Sequence, residues 1–166
     1  GCTQFTHLYN AMSGFDHRNP GIVNYALNNK NTYVELIADG VHVNDSVLKE
    51  TYIISKAERI IIVSDSLSPK GLKNGKYMLG SLEIDKKNNQ CFLADSNVLA
   101  GSTMKYNDIV KHFFNVTKCS LSEIVKMTSY NTCKQFKIKN YGKIVEGAQA
   151  KLIILDEKLN ILDKTF

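Results

Sequence analysis

Two short apolar runs, each breaking off at a polar group, constrain this chain more than any other feature. Tyr33 to Ile37 leads into Ala38-Asp39-Gly40, and Arg59 to Val63 leads into Ser64-Asp65. Tyr33 to Ile37 suits a buried strand, and the β-branched run from Arg59 to Val63 suits a parallel strand covered on both faces. Between them, Asp45 to Lys56 carries Val47, Leu48, Tyr52 and Ile53 at helical spacing, with Asp45 placed to cap the helix. A shorter strand is expected around Thr3 to His7, and a helix from Ile22 to Asn28 with Pro20 suited to its first turn. Strand and helix in alternation form the βαβ pattern of an α/β sheet.

Downstream, the Ser, Pro, Gly and Lys content from Leu67 to Gly75 marks a loop. Tyr77 to Ile84 is expected to pair with Gln90 to Ala94 across Asp85 to Asn89, a hairpin insertion at about 76–95. Leu99 to Thr103 reads as a small-residue loop. A helix follows from Tyr106 to Thr117, where Ile109, Val110, Phe113 and Phe114 repeat at helical spacing. Ser120 with Glu123 forms a capping box for the next helix, which holds Val125 and Met127. Asn131 to Phe136 is a further helical segment, Gly142 to Gly147 a turn, and Lys151 to Asp156 a strand of an outlying β unit. The division expected is 1–140 and 141–166.

Composition removes several function classes. With 166 residues and 43% hydrophobic content the chain can bury the core of one domain. The net charge of +5 comes from scattered lysines, with Arg18 and Arg59 as the only arginines and no dense basic block, which argues against nucleic-acid binding. Cys2, Cys91, Cys119 and Cys133 form no C-x-x-C pair, so free thiols in a reducing cytoplasm are expected. No apolar run reaches bilayer length.

The run Thr6-His7-Leu8-Tyr9-Asn10-Ala11-Met12, then His17-Arg18-Asn19-Pro20-Gly21, Ile37-Ala38-Asp39-Gly40-Val41-His42 and Ile60 to Asp65, resembles the N-acetylglucosamine-6-phosphate deacetylase family along the whole chain. The resemblance implies the C-terminal part of a (β/α)8 TIM-like barrel, with a β-hairpin insertion and a strand of a small β domain. Members carry a β region and the first barrel strands ahead of the segment matching Gly1, so a C-terminal fragment lacking its N-terminal portion is expected. It further implies that His7 binds a divalent metal, zinc first and iron, manganese or cobalt as alternatives, with a glutamate and another histidine supplied from upstream. Asp65 is then the acid/base, and His42 contacts the N-acetyl carbonyl. Arg18, Asn10 and Ala11 hold the phosphate of a small phosphosugar, and Leu99-Ala100-Gly101 touches substrate. Arg18 reaches a neighbouring subunit's site, which implies a homodimer.

Each residue also has a plainer reading. A lone His7 is more often packed than ligating, Asp65 in Ser-Asp-Ser suits a turn or helix cap, and His42 suits a surface position near a helix start. Asp39 and His112 read as structural, and His17 as a loop residue. Alternatives to the deacetylase are an amidohydrolase acting on a cyclic amide or N-acetyl amino acid, and a non-catalytic phosphosugar-binding or oligomerisation fragment. The isolated chain is expected to be poorly active, because a catalytic zinc takes about three protein ligands.

Overall fold

The computed structural model describes residues 1–165. Its centre is a parallel sheet of β1 (Gln4–Phe5), β2 (Tyr33–Ile37) and β3 (Ile60–Val63), in the order β1-β2-β3, connected through α1 (Ile22–Asn28) and α2 (Asp45–Arg59). β2 and β3 run in register from Val34 beside Ile60 to Ile37 beside Val63, so both release their chains at one edge. Side-chain alternation sorts two faces. Phe5, Val34, Leu36, Ile60 and Ile62 enter the core with Ala26, Leu48 and Phe113. On the other face Gln4 Nε2 and Thr6 Oγ1 both donate to the Glu35 carboxylate, which explains the one charge inside the second strand.

Helix α2 departs from expectation at both ends. Its cap is Asn44, whose side chain accepts from Ser46 N–H at 2.9 Å, and Asp45 is the first helical residue. Asparagine and aspartate cap equally well, so the adjacent pair is decided by where the chain turns. Lys56 leaves helical geometry at φ 56°, where the sequence ended the helix, and a further turn leads into β3. Arg59 therefore precedes the strand. Its guanidinium donates to the carbonyls of Thr32 and Leu27, each at 2.9 Å, and to that of Ala26, tying the end of α1 to β2 and α2.

The insertion is larger than a hairpin. β4 (Gly75–Leu79), β5 (Leu82–Lys87), β6 (Gln90–Leu93) and β7 (Leu99–Ser102) form an antiparallel sheet in that order. The expected strand from Tyr77 to Ile84 is two strands folded at Gly80, whose φ of 60° suits the tight turn between Leu79 and Leu82. Leu99 to Ser102, expected as a loop, is a strand because it pairs on both sides. Ser102 N–H donates to Asp65 O at 3.1 Å and Ser102 O accepts from Leu67 N–H at 3.1 Å, a parallel bridge that adds β7 beyond β3.

α3 (Tyr106–Thr117) covers the sheet with α2, and its Tyr106 hydroxyl donates to Ile62 O at 2.9 Å. Ser120 and Glu123 form the expected capping box at α4 (Leu121–Val125). A π-helical turn over Lys126–Tyr130 joins α4 to α5 (Asn131–Gln135). β8 (Ile153–Leu155) pairs with β9 (Ile161–Lys164), a strand the sequence reading missed. Their connection docks on α3 through buried Leu159, whose carbonyl accepts from Asn107 Nδ2 at 3.0 Å. No described helix is long and apolar enough to cross a membrane.

Candidate active site

Parallel strands place their C-terminal ends together, so His7 after β1, His42 after β2 and Asp65 after β3 leave the same edge of the sheet. β1 and β3 flank β2, so their backbones stand roughly 10 Å apart at the usual strand spacing. The loop after β1 is folded tightly, with positive φ at His7 (32°), Tyr9 (79°) and Ala11 (55°). Such backbone is strained in residues other than glycine and gathers at functional sites. Asn10 N–H donates to His7 O at 2.9 Å, and its side-chain amide reaches the carbonyls of His7 and Leu8 at 3.4 and 3.3 Å. The Tyr9 hydroxyl bonds Thr51 of α2, whose own hydrogen goes to Val47 O, so Tyr9 is the donor and straps the loop to the helix. His7 Nδ1 is buried without a hydrogen-bond partner.

Farther along this loop, Asp16 Oδ1 accepts from the backbone N–H of Arg18 and Asn19 at 2.8 and 2.7 Å. Arg18 and His17 are exposed, and the Arg18 guanidinium bonds no described residue. Asp65 is exposed at φ 45°, its carboxylate likewise bonding no described residue. Gly101 lies against it, since a Cβ there would stand 2.9 Å from Asp65 O and 2.9 Å from Leu67 Cγ. The parallel bridge between Ser66 and Ser102 thus brings Gly101 beside Asp65, while Leu99 pairs with Phe92 of β6.

His42 is not at the surface. Its side chain is 4% exposed, and Nδ1 meets Asp39 Oδ2 at 2.8 Å. Asp39 Oδ1 accepts from the backbone N–H of Val41 and His42. Burial by itself raises the Asp39 pKa, but the His42 ring and these two N–H groups outweigh it and bring it from 3.8 down to about 2. The folded carboxyl thus binds a proton less readily than the unfolded one, so its contribution to stability is complete above about pH 4 and is lost as the pH falls through about 2. Acid titration followed by circular dichroism should show the wild type losing stability in that window, with a smaller loss in Asp39→Asn.

The close neighbour of Gly40 is the His112 ring. A Cβ at Gly40, where φ is 75°, would stand 2.8 Å from His112 Nε2, the atom that bonds Asp45 Oδ1 at 2.8 Å. Gly40→Ala is expected to cost about 1–2 kcal/mol from the left-handed backbone alone, with more from displacing the ring. Thermal unfolding should show the ring's share relieved in Gly40→Ala/His112→Ala.

Among the described residues no group of three or more His, Cys, Asp or Glu side chains surrounds a common point. The unpartnered His7 imidazole fits one position in a divalent metal's shell. The sequence reading missed Glu35, which holds the chain on both sides of His7 by accepting from Thr6 Oγ1 with its carboxylate and from Leu8 N–H with its carbonyl. It also passed over the strap from Tyr9; a charge inside an apolar strand and an aromatic beside a histidine were the signals available.

The profile of the amidohydrolase family matches residues 2–166. The chain belongs to the amidohydrolase family. This amidohydrolase chain is 36% identical, over 96% of its length, to an N-acetylglucosamine-6-phosphate deacetylase of Lysinibacillus sphaericus, of which it spans 41%. It superposes with a TM-score of 0.94 on the structure of such a deacetylase from Thermotoga maritima, at 38% identity, covering 98% of this chain and 45% of that one. A mutant deacetylase from Mycobacterium smegmatis in complex with N-acetyl-D-glucosamine-6-phosphate matches with a TM-score of 0.94 at 28% identity, covering 99% of this chain and 44% of that one.

Proposed function

We propose that this chain is the C-terminal part of a cytoplasmic enzyme that hydrolyses N-acetylglucosamine 6-phosphate to glucosamine 6-phosphate and acetate. What carries the reading is the emergence of His7, His42 and Asp65 at one sheet edge, in a chain similar over 96% of its length to a deacetylase. β1, β2, β3 and β7 then serve as successive strands of a (β/α)8 barrel, interrupted by the antiparallel insertion. The segments 1–140 and 141–166 contribute to the barrel and to a small β domain respectively.

His7 would hold a divalent metal together with ligands from upstream. The chemistry such an ion supplies when bound is Lewis acidity, which polarises a carbonyl oxygen and acidifies water. Asp65 accepts the proton of the water that attacks the amide carbon. As the C–N bond breaks, Asp65 returns that proton to the departing amine, and the water oxygen leaves in acetate. His42 Nε2 donates to the carbonyl oxygen as charge develops there. Arg18 supplies a paired, charge-assisted contact to the 6-phosphate, assisted by Asn10 and the Ala11 backbone, from one subunit of a homodimer to the next. Leu99 to Gly101 lines the sugar side.

The test compares this chain with the same chain extended upstream, measuring bound metal and acetate release from N-acetylglucosamine with and without the 6-phosphate. Metal binding and phosphate-dependent release that appear on extension support the reading. Release that ignores the phosphate points instead to an amidohydrolase of another substrate class, and absence of activity in the extended protein points to a binding or oligomerisation unit.

A further inference from the structure

The pair Asp39 and His42 supports a conclusion that deepens the proposed function and rests on it. Both side chains are almost wholly sequestered, at 1% and 4% exposure. The two carboxylate oxygens have separate duties: Oδ1 accepts from Val41 N–H at 3.0 Å and His42 N–H at 2.9 Å, while Oδ2 faces His42 Nδ1 at 2.8 Å. An ionised carboxylate only accepts, so Nδ1 must carry the hydrogen. A neutral imidazole has a single N–H, which leaves a lone pair on Nε2. That atom is buried without any partner. Leaving a buried polar atom unmatched is costly, and this one sits at the sheet edge where His7 and Asp65 also emerge.

We propose that Asp39 is a positioning residue that holds the His42 hydrogen on Nδ1, so that Nε2 accepts a hydrogen bond while the ring is neutral and donates to the substrate carbonyl only as an imidazolium paired with Asp39. Among the described residues, Asp39 is the one side chain that bonds the ring. The charged form is the stronger donor to a developing oxyanion. It also forms without net charge in the buried pair, because the carboxylate is already anionic there.

Asp39→Asn separates the duties. Its amide oxygen must remain at the Oδ1 position to meet two backbone N–H groups, which puts the NH₂ group opposite Nδ1 as a donor. The ring hydrogen is then driven to Nε2. ¹⁵N NMR of the His42 ring, recorded on the whole chain at a pH alkaline enough to keep the imidazole neutral, reads this directly. The wild type should show a protonated Nδ1 and a pyridine-like Nε2, and Asp39→Asn the reverse. A protonated Nε2 in the neutral wild type, or an unchanged pattern in the variant, overturns the proposal. The wild-type spectrum decides even if the variant fails to fold. In the protein extended upstream, Asp39→Asn should lower kcat about 10- to 100-fold with KM little changed, and an unchanged kcat overturns the catalytic part. If the extended wild type releases no acetate, the functional reading fails while the spectrum still decides the tautomer.

Discussion

Asp65→Asn, introduced into the protein extended upstream, is expected to lower kcat by about 10²- to 10⁴-fold, the range for loss of a general acid–base group, and to leave KM nearly unchanged. The backbone at this position makes the substitution unusually clean. Asp65 sits at φ 45°, and asparagine tolerates the left-handed region about as readily as aspartate. The main-chain bond from Ser102 N–H to Asp65 O is untouched, so β7 stays beside β3. The carboxylate bonds no described residue, so the amide replaces no structural contact. A thermal midpoint close to wild type, together with the kinetic loss, would assign the effect to proton transfer. Retention of full kcat would remove Asp65 from the mechanism.

Asn131→Ala should be the most damaging substitution away from the site, at about 2–4 kcal/mol, since each buried carbonyl left without a donor costs about 1–3 kcal/mol. Asn131 is 2% exposed, and its Nδ2 donates to both Ala57 O and Ile60 O at 2.7 Å. Those carbonyls flank the irregular turn after Lys56 that feeds α2 into β3. Ala57 and Ile60 are themselves buried, so solvent is kept from the carbonyls that lose the amide. Urea unfolding should show a lower midpoint with the slope unchanged. Asn131→Asp should be worse than a neutral loss, because a carboxylate facing two carbonyls has no hydrogen to give. A midpoint within experimental error of wild type in Asn131→Ala would show that water or a shifted backbone serves those carbonyls instead.

How legible the chain was depended on the range of the interaction involved. Helices α1 and α3 and the Ser120 capping box were readable because the spacing of apolar residues and the cap lie within one or two turns of sequence. β3 was readable because a strand buried on both faces needs a continuous apolar run, and β2 because its apolar residues are interrupted by a single charge, Glu35. β7 was not. Leu99-Ala100-Gly101-Ser102 has neither length nor β-branching, and it becomes a strand only by pairing with β6 on one side and bridging to Ser66, far back in the sequence, on the other. Gly80 was hidden in an apparent single strand for the converse reason, since one glycine turns the chain only where the flanking residues find each other. The plain reading of His42 as a surface residue failed because its burial depends on the turn that Asp39 organises.

The order of residues alone determined the alternation of apolar runs and helical faces, and with it a parallel α/β arrangement whose strand ends carry His7, Asp39 to His42 and Asp65. It also determined which side chains were chemically able to serve, since residue type and local spacing are written in the chain. Tertiary structure decided which of their atoms are free. It engaged His42 Nδ1 with Asp39 and left Nε2 open, set His112 against Gly40, and brought Gly101 beside Asp65. Hydrogen-bond direction and steric contact depend on distances between elements, and those distances exist only once the sheet and helices have packed.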